Sequence, residues 1–255
     1  MKSSSTKNNV LTIRNLVKNY QDQSGEIKAL SNISLDIKEK EFITIVGPSG
    51  CGKSTILSIL SLLEEKSSGE VKLKEGTKLG YMLQSDSLFP WKTILENACL
   101  GLEVTNTLTI DNKNYVIGLL NTYGLGDFLD KYPDSLSGGM RQRVALIRTL
   151  ATKPDILLLD EPMSALDYQS RLLISNDIYK MIKDEGITAI MVSHDLGEAI
   201  SMSDKVIVLS ERPASIKNIY EINLKKKSTP IENRKDKYFN KYYEMIWGDL
   251  NHDLF

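Results

Sequence analysis

Apolar residues follow two rhythms along this chain. Short runs of strand length occur at residues 11–16, 33–37, 42–46, 71–73 and 79–83. Those with few helical signals between them predict an antiparallel, strand-rich N-terminal layer flanking a core. Residues 156–159 and 189–192 are continuous apolar runs, which suit strands buried on both faces of a parallel sheet. Helical patterns follow the runs, at 56–63, 168–184 and 196–201. Strands alternating with helices predict an α/β fold. From about 85 to 150 the chain shows helical periodicity, Gly and Asn punctuation and no convincing strand, which predicts an inserted helical subdomain. After Ser228 the composition becomes charged and aromatic, as expected of a peripheral helix packed on the surface.

One segment changes this picture from architecture to chemistry. GPSGCGKST, residues 47–55, sits between the 42–46 run and the 56–63 helical pattern. Strand, glycine loop, helix is the order a phosphate-cradling P-loop requires. Gly47, Gly50 and Gly52 let the backbone wrap closely around phosphates, with Pro48, Ser49 and Cys51 between them. Lys53 supplies a cation for the β- and γ-phosphates, the Ser54 hydroxyl can ligate Mg²⁺, and Thr55 closes the motif. The loop implies a bound nucleoside triphosphate.

Composition sets the limits. With 255 residues, 41% of them apolar, the chain can bury a full core as one large domain or a domain plus an appendage. A formal charge of −1 argues against a general polyanion binder, so nucleic acid is not an expected partner. Two cysteines, Cys51 and Cys99, make no disulfide framework and fit a reducing cytosol. The N-terminal MKSSSTKNN is polar and is not read as a secretory signal. No stretch approaches the ~18 apolar residues needed to span a bilayer, so any membrane role is expected to be borrowed from a partner.

A P-loop alone fits kinases, GTPases and many ATPases. LSGGMRQR at 136–143, with ILLLDEP at 156–162 shortly beyond, narrows the choice. With these motifs in order, the chain from about 11 to 209 resembles the nucleotide-binding subunit of an ATP-binding cassette (ABC) transporter. The resemblance implies a P-loop NTPase cassette with a RecA-like parallel-sheet core, an antiparallel β subdomain and an inserted helical subdomain. It divides the chain into an ATPase domain over 1–228, with the helical part at about 85–150, and a helical tail over 229–255.

Asp160 ends an apolar strand, where a carboxylate can reach the Mg²⁺ shell. Glu161 follows at the position that the family uses for the general base on the attacking water. Two adjacent acids after four apolar residues are poorly explained as surface charge. Ser137, Gly138 and Gly139 precede a helical run at 141–152, and a helix N-terminus binds anions. A Ser-capped helix alone would explain them; the resemblance implies a grip on the γ-phosphate of ATP held by a second subunit. His194, in VSHD, is implied to contact the γ-phosphate and the catalytic water. Asp167, in SALD at 164–167, is implied to cross the dimer interface, and as a helix N-cap it could do both. Gln84 is implied to sense Mg²⁺ and the γ-phosphate, and Tyr20 to stack on adenine, an interaction of about 1–3 kcal/mol for bases on aromatic rings.

The stretch SDSLFPWKTILENACLGLE after Gln84, and YYEMIWGDL at 242–250, resemble the importer group serving nitrate, sulfonate and taurine. Between Gly69 and Gly80 the chain is shorter than that group usually is. Phe89, Pro90 and Trp91 are implied to line the groove that receives a permease helix. The expectation is an ATPase subunit that dimerises on ATP, sits peripherally on the cytoplasmic face of the cell membrane, and works with permease subunits and an extracytoplasmic solute-binding protein. An importer of another metabolite, an exporter, or a soluble ATPase outside transport are the alternatives.

Overall fold

Two 14-residue strands, β1 (Asn9–Asp22) and β2 (Gly25–Lys38), pair antiparallel from Asn9 against Lys38 to Asp22 against Gly25. On β2 the inward Ile33, Leu35 and Ile37 alternate with more exposed Ser34, Asp36 and Lys38, the period of a half-buried strand. The chain then enters β3 (Phe42–Val46), turns through residues 47–52 and forms α1 (Lys53–Leu60). Strand β4 (Ser68–Leu73) returns to pair antiparallel with β1, and β5 (Leu79–Met82) begins a second sheet. The computed structural model describes residues 8–22, 25–225 and 227–251. The start of the polar N-terminal stretch and the last four residues of the tail lie outside them.

Helices α2 (Ile94–Val104), α3 (Ile110–Thr122) and α4 (Gly138–Leu150) fill the middle of the chain, with two short 3₁₀ turns at Gly126–Phe128 and Pro133–Ser135. The rest alternates: β6 (Ile156–Asp160), α5 (Tyr168–Asp184), β7 (Thr188–Val192), α6 (Leu196–Met202), β8 (Lys205–Leu209) and β9 (Ile216–Glu221). The six-stranded sheet has the order β5-β6-β7-β3-β8-β9, parallel except for the antiparallel β9.

The continuous apolar runs have a plain cause. Leu157, Leu159, Ala189 and Met191 point into a core shared with α2, α4 and α5, whereas Ile156, Leu158, Ile190 and Val192 point into one shared with α1 and the antiparallel sheet. With both faces covered, a polar strand residue needs a partner, as Thr44 finds in Ser203, and most of the others are apolar, with each fully buried aliphatic side chain contributing about 1.5–3 kcal/mol.

Some expectations shift. Runs 11–16, 33–37 and 71–73 lie in the antiparallel sheet, but Phe42–Val46 and Leu79–Met82 belong to the parallel one. Phe42 faces one core and Ile43 and Ile45 the other, the two-sided burial that marks a parallel strand. Helix α1 stops at Leu60 rather than 63. Leu62 adopts φ 62°, its N–H bonds to the Ile59 carbonyl and that of Leu63 to Ser58, which closes the helix in a Schellman turn and leaves Leu62 and Leu63 exposed. Helix α4 starts earlier than 141, because Gly138 and Gly139 are helical behind the Ser137 cap. Strands β8 and β9 extend the sheet beyond the runs read above. The tail forms two helices, α7 (Pro230–Asn233) and α8 (Phe239–Asn251), and Phe239 and Ile246 of α8 are buried against α6 and β8.

Between β5 and α2 the backbone is pinned by one buried amide. Asn97, fully buried on α2, donates to the carbonyls of Phe89, Lys92 and Thr93 at 2.9–3.0 Å and accepts the Phe89 N–H at 2.7 Å. Asn97→Ala takes away the side-chain partner of the Phe89 N–H and the Lys92 carbonyl, while the Phe89 and Thr93 carbonyls keep the backbone N–H groups of Lys92 and residue 97. We expect a loss of about 1–3 kcal/mol in urea unfolding, with proteolytic nicking near residues 89–93 appearing before global unfolding.

Candidate active site

The loop at 47–52 follows a strand held on both sides and precedes a helix that opens without a side-chain cap. Helices α2 to α7 are all capped by a Thr, Ser or Asp side chain. At α1 the N-cap is Gly52, so no side chain of its own engages the first-turn N–H groups, which is what an anion site needs. Gly50 has φ 71° and Gly52 φ 117°. A Cβ on Gly52 would also stand 2.9 Å from Leu30 Cδ2. The Lys53 ammonium is buried in the loop and donates to the Gly47 and Pro48 carbonyls, both at 2.9 Å.

Seven side chains, from the ends of β3, β5, β6 and β7 and the segments that follow them, meet beside it. The Ser54 hydroxyl donates to Asp160 Oδ1 at 2.9 Å, and Tyr81 donates to Asp160 Oδ2 at 3.2 Å. Burial and the Asp160 charge push the Tyr81 phenol up to about 12, so it remains a donor. Glu161 turns away from β6 at φ 45°, a left-handed conformation that costs a non-glycine residue energy. Its N–H bonds to the Val192 carbonyl at 3.1 Å. That turn puts Glu161 Oε2 3.2 Å from His194 Nδ1 and 3.4 Å from Gln84 Nε2, and Gln84 also reaches Ser164 Oγ at 3.3 Å.

Other predicted residues lie at the edges. The Tyr20 hydroxyl reaches Thr55 Oγ1 at 3.5 Å, and the Lys18 ammonium sits 4.5 Å from the Tyr20 ring centroid. Ser137 caps α4 by accepting the Met140 N–H at 3.4 Å. Side chains at Gly138 and Gly139 would meet Leu166 and Ile174 rather than the phosphate loop. Asp167 caps α5, accepting from Gln169 and Ser170 N–H, both at 3.0 Å, and the Ser170 hydroxyl together with these bonds holds its carboxyl below the usual range. Burial pushes the Cys51 thiol up, so it stays protonated and unreactive.

The donors fit a nucleotide-borne cation. Among the described residues no group of three or more His, Cys, Asp and Glu could hold a metal ion. One carboxylate and one hydroxyl, as at Asp160 and Ser54, suit Mg²⁺ that arrives on phosphates and keeps water ligands.

Two contributors, Tyr81 and Arg212, were not read from sequence, and Ser164 was read only as the start of SALD. Tyr81 alternates with core residues and reads as one of them. Ser164 meets Gln84 only through the fold. Arg212, from the turn between β8 and β9, places its guanidinium on the Gly50 carbonyl, and no local pattern announces that.

A family model described as "ABC transporter" matches residues 30–164, slightly more than half of the chain. The chain belongs to this family. Its members bind and hydrolyse ATP, and their ATPase domains dimerise and pair with membrane permease components. An uncharacterized ABC transporter ATP-binding protein of Bacillus subtilis, YtlC, is 44% identical over 94% of this chain and 95% of its own length. The taurine import ATP-binding protein TauB of Roseobacter denitrificans is 37% identical over 83% of this chain and 82% of its own. Among solved structures, the dimeric post-hydrolysis state of the ATP-binding cassette MJ0796 bound to ADP and Pi matches with a TM-score of 0.69 and 30% identity, covering 84% of this chain and 99% of that one. The fold is therefore the ABC cassette. No helix among the described residues is long and apolar enough to cross a membrane.

Gly52→Ala tests the loop. Strain at φ 117° and the clash with Leu30 should abolish ATP binding in a fluorescent-nucleotide titration. Gly76→Ala, also at positive φ (78°) but with open space around it, should cost about 1–2 kcal/mol and leave binding within twofold (about 0.4 kcal/mol,).

Proposed function

We propose that this chain is the ATP-hydrolysing subunit of an ABC importer, that two copies close around two ATP molecules, and that they work against permease subunits at the cytoplasmic face of the cell membrane. One observation carries the chemistry: Glu161 shares a hydrogen-bonded cluster with His194 and Gln84 beside the Ser54–Asp160 pair. Glu161 takes the proton of the attacking water, as its position beside two hydrogen-bonding side chains suits a general base. His194 orients that water and meets the γ-phosphate. Mg²⁺, held by Ser54, Asp160 and the Gln84 amide, would neutralise charge on the phosphate oxygens. Lys53 and the α1 N-terminus bind phosphate, and Tyr20 stacks on adenine.

Ser137, Gly138 and Gly139 stand off from their own chain's loop, which suits a grip on the γ-phosphate in the partner subunit. Asp167 and the 164–167 segment then cross between the subunits. The likeness to a dimeric cassette supports this arrangement.

Trp91 supports the permease dock. It is 70% exposed and stacks on Phe89, with ring centroids 5.0 Å apart, on a turn that Asn97 fixes. A large aromatic held rigid in water suits an anchor for a partner's helix. The resemblance to the taurine importer subunit supports a small anion or sulfonate as the solute, delivered to the permease by a solute-binding protein.

Two measurements test these roles. Glu161→Gln should keep ATP affinity but lower turnover at least about 100-fold, within the range for a lost general base, and its ATP-dependent dimer should accumulate in gel filtration. Near-normal hydrolysis would remove Glu161 from this role. Trp91→Ala should leave melting temperature and the lone subunit's ATPase nearly unchanged and abolish permease-stimulated hydrolysis and uptake. A joint fall in melting temperature and basal rate would instead mark Trp91 as a packing residue.

A further inference from the structure

Beneath the loop that carries His194, charged side chains from three elements converge. Arg171, one turn into α5, donates from Nη2 to the Leu166 carbonyl at 3.0 Å, so it holds the 164–167 segment. The same guanidinium reaches Asp195 Oδ2 through Nη1 at 3.5 Å and stands 3.7 Å from Glu198 Oε1 through Nε. These two carboxylates control both neighbours of His194. Asp195 is the next residue and caps α6 by accepting the Glu198 N–H at 2.9 Å. Glu198, 4% exposed, accepts the hydroxyl of Ser193, the preceding residue, at 2.7 Å.

The tail closes the group from the other side. Arg234, just after α7, stands 4.0 Å from Asp195, and a side chain at Gly197 would run into its guanidinium at 2.3 Å. Two guanidiniums facing two carboxylates make the buried charge tolerable, whereas losing one leaves a buried acid short of its partner. Burial already pushes the Glu198 carboxyl above the usual range, and Ser193 and the two arginines act against it.

The contact is not tight. Arg171 Nε is buried without a hydrogen-bond partner, and 3.7 Å to Glu198 is about 0.8 Å beyond an ordinary N–H···O bond. The guanidinium has somewhere to move when either loop moves.

We propose that Arg171 is a positioning residue that ties the 164–167 segment to the His194 loop, so that a partner subunit docking on that segment sets His194 against Glu161. The proposal rests on the two-copy reading above. Neither loop needs a direct contact with the other, because one side chain bonds a carbonyl of the first and Asp195 of the second and stands within ion-pair range of Glu198. Arg234, 4.0 Å from Asp195, adds a second positive charge beside the same group, which gives the C-terminal segment an electrostatic part in it without touching nucleotide.

The test measures ATP hydrolysis and ATP-driven dimerisation of the whole chain, with melting temperature alongside. Arg171→Met should lower kcat about tenfold with the KM for ATP within about twofold, the pattern of a lost transition-state contact. Introduced into the Glu161→Gln chain, it should leave the ATP-driven dimer in place. Arg171→Lys keeps the charge but not the planar fork, so it carries the test if Arg171→Met folds poorly; its kcat should fall at least about threefold with melting temperature unchanged. Wild-type kcat in Arg171→Lys, with the Glu161→Gln dimer still forming, would overturn the relay alone. Failure of Glu161→Gln to dimerise would instead sink the two-copy reading, and the relay with it.

Discussion

The hydrogen bond from Ser54 to Asp160 joins loops whose strands are not neighbours. Ser54 starts the helix after β3, Asp160 ends β6, and β7 lies between them in the sheet. Such a bond forms only if three strands end level with one another, and parallel pairing with cores on both faces enforces that. A one-residue slip of β6 would turn Leu157 and Leu159 toward the wrong core and carry Asp160 away from Ser54. Glu161, His194 and Gln84 depend on the same alignment, since each belongs to the loop after β6, β7 or β5. The chemistry thus stands on aliphatic packing far from any charge.

The same economy governs the surface beyond the cluster. The stretch after Gln84 is moored to α4, whose N-terminus is Ser137. Arg148 donates to the Asp86 and Ser87 carbonyls at 2.7 and 2.8 Å, and Arg141 pairs with Asp86 at 3.0 Å. Asn97 then holds the following turn. The segment after Gln84, the turn that carries the exposed Trp91, and α4 behind its Ser137 cap are therefore braced to one another. A shift of Gln84 has a physical route to both α4 and the exposed aromatic turn.

Much of this was legible in the chain itself. Period and run length located the buried parallel strands at 156–159 and 189–192, because two-sided burial leaves no other pattern. The glycine spacing at 47–55 and the acids at 160–161 announced their chemistry, since few other roles require those residues together. What stayed hidden depended on contacts between distant segments. Tyr81 looks like a core residue until Asp160 is placed beside it. Arg171, Glu198 and Arg234 read as ordinary helical charges, and only the fold gathers them beneath His194. Leu62 in a left-handed turn was hidden for another reason: its apolar neighbours continue the helical period, and nothing local names the residue that breaks it.

Glu161 carries a consequence of its own. It is held at φ 45°, where a glycine would rest easily and a branched side chain would not. A left-handed non-glycine residue costs about 1–3 kcal/mol, a sizeable share of the about 5–15 kcal/mol by which native proteins exceed their unfolded state. A glycine here would relieve the backbone, and on the role proposed above it would remove the general base. Selection for thermal robustness alone would therefore drift toward a sturdier protein that still binds nucleotide and no longer turns it over. If Glu161 is the base, stability screens on this chain would select against its activity unless hydrolysis were assayed beside them.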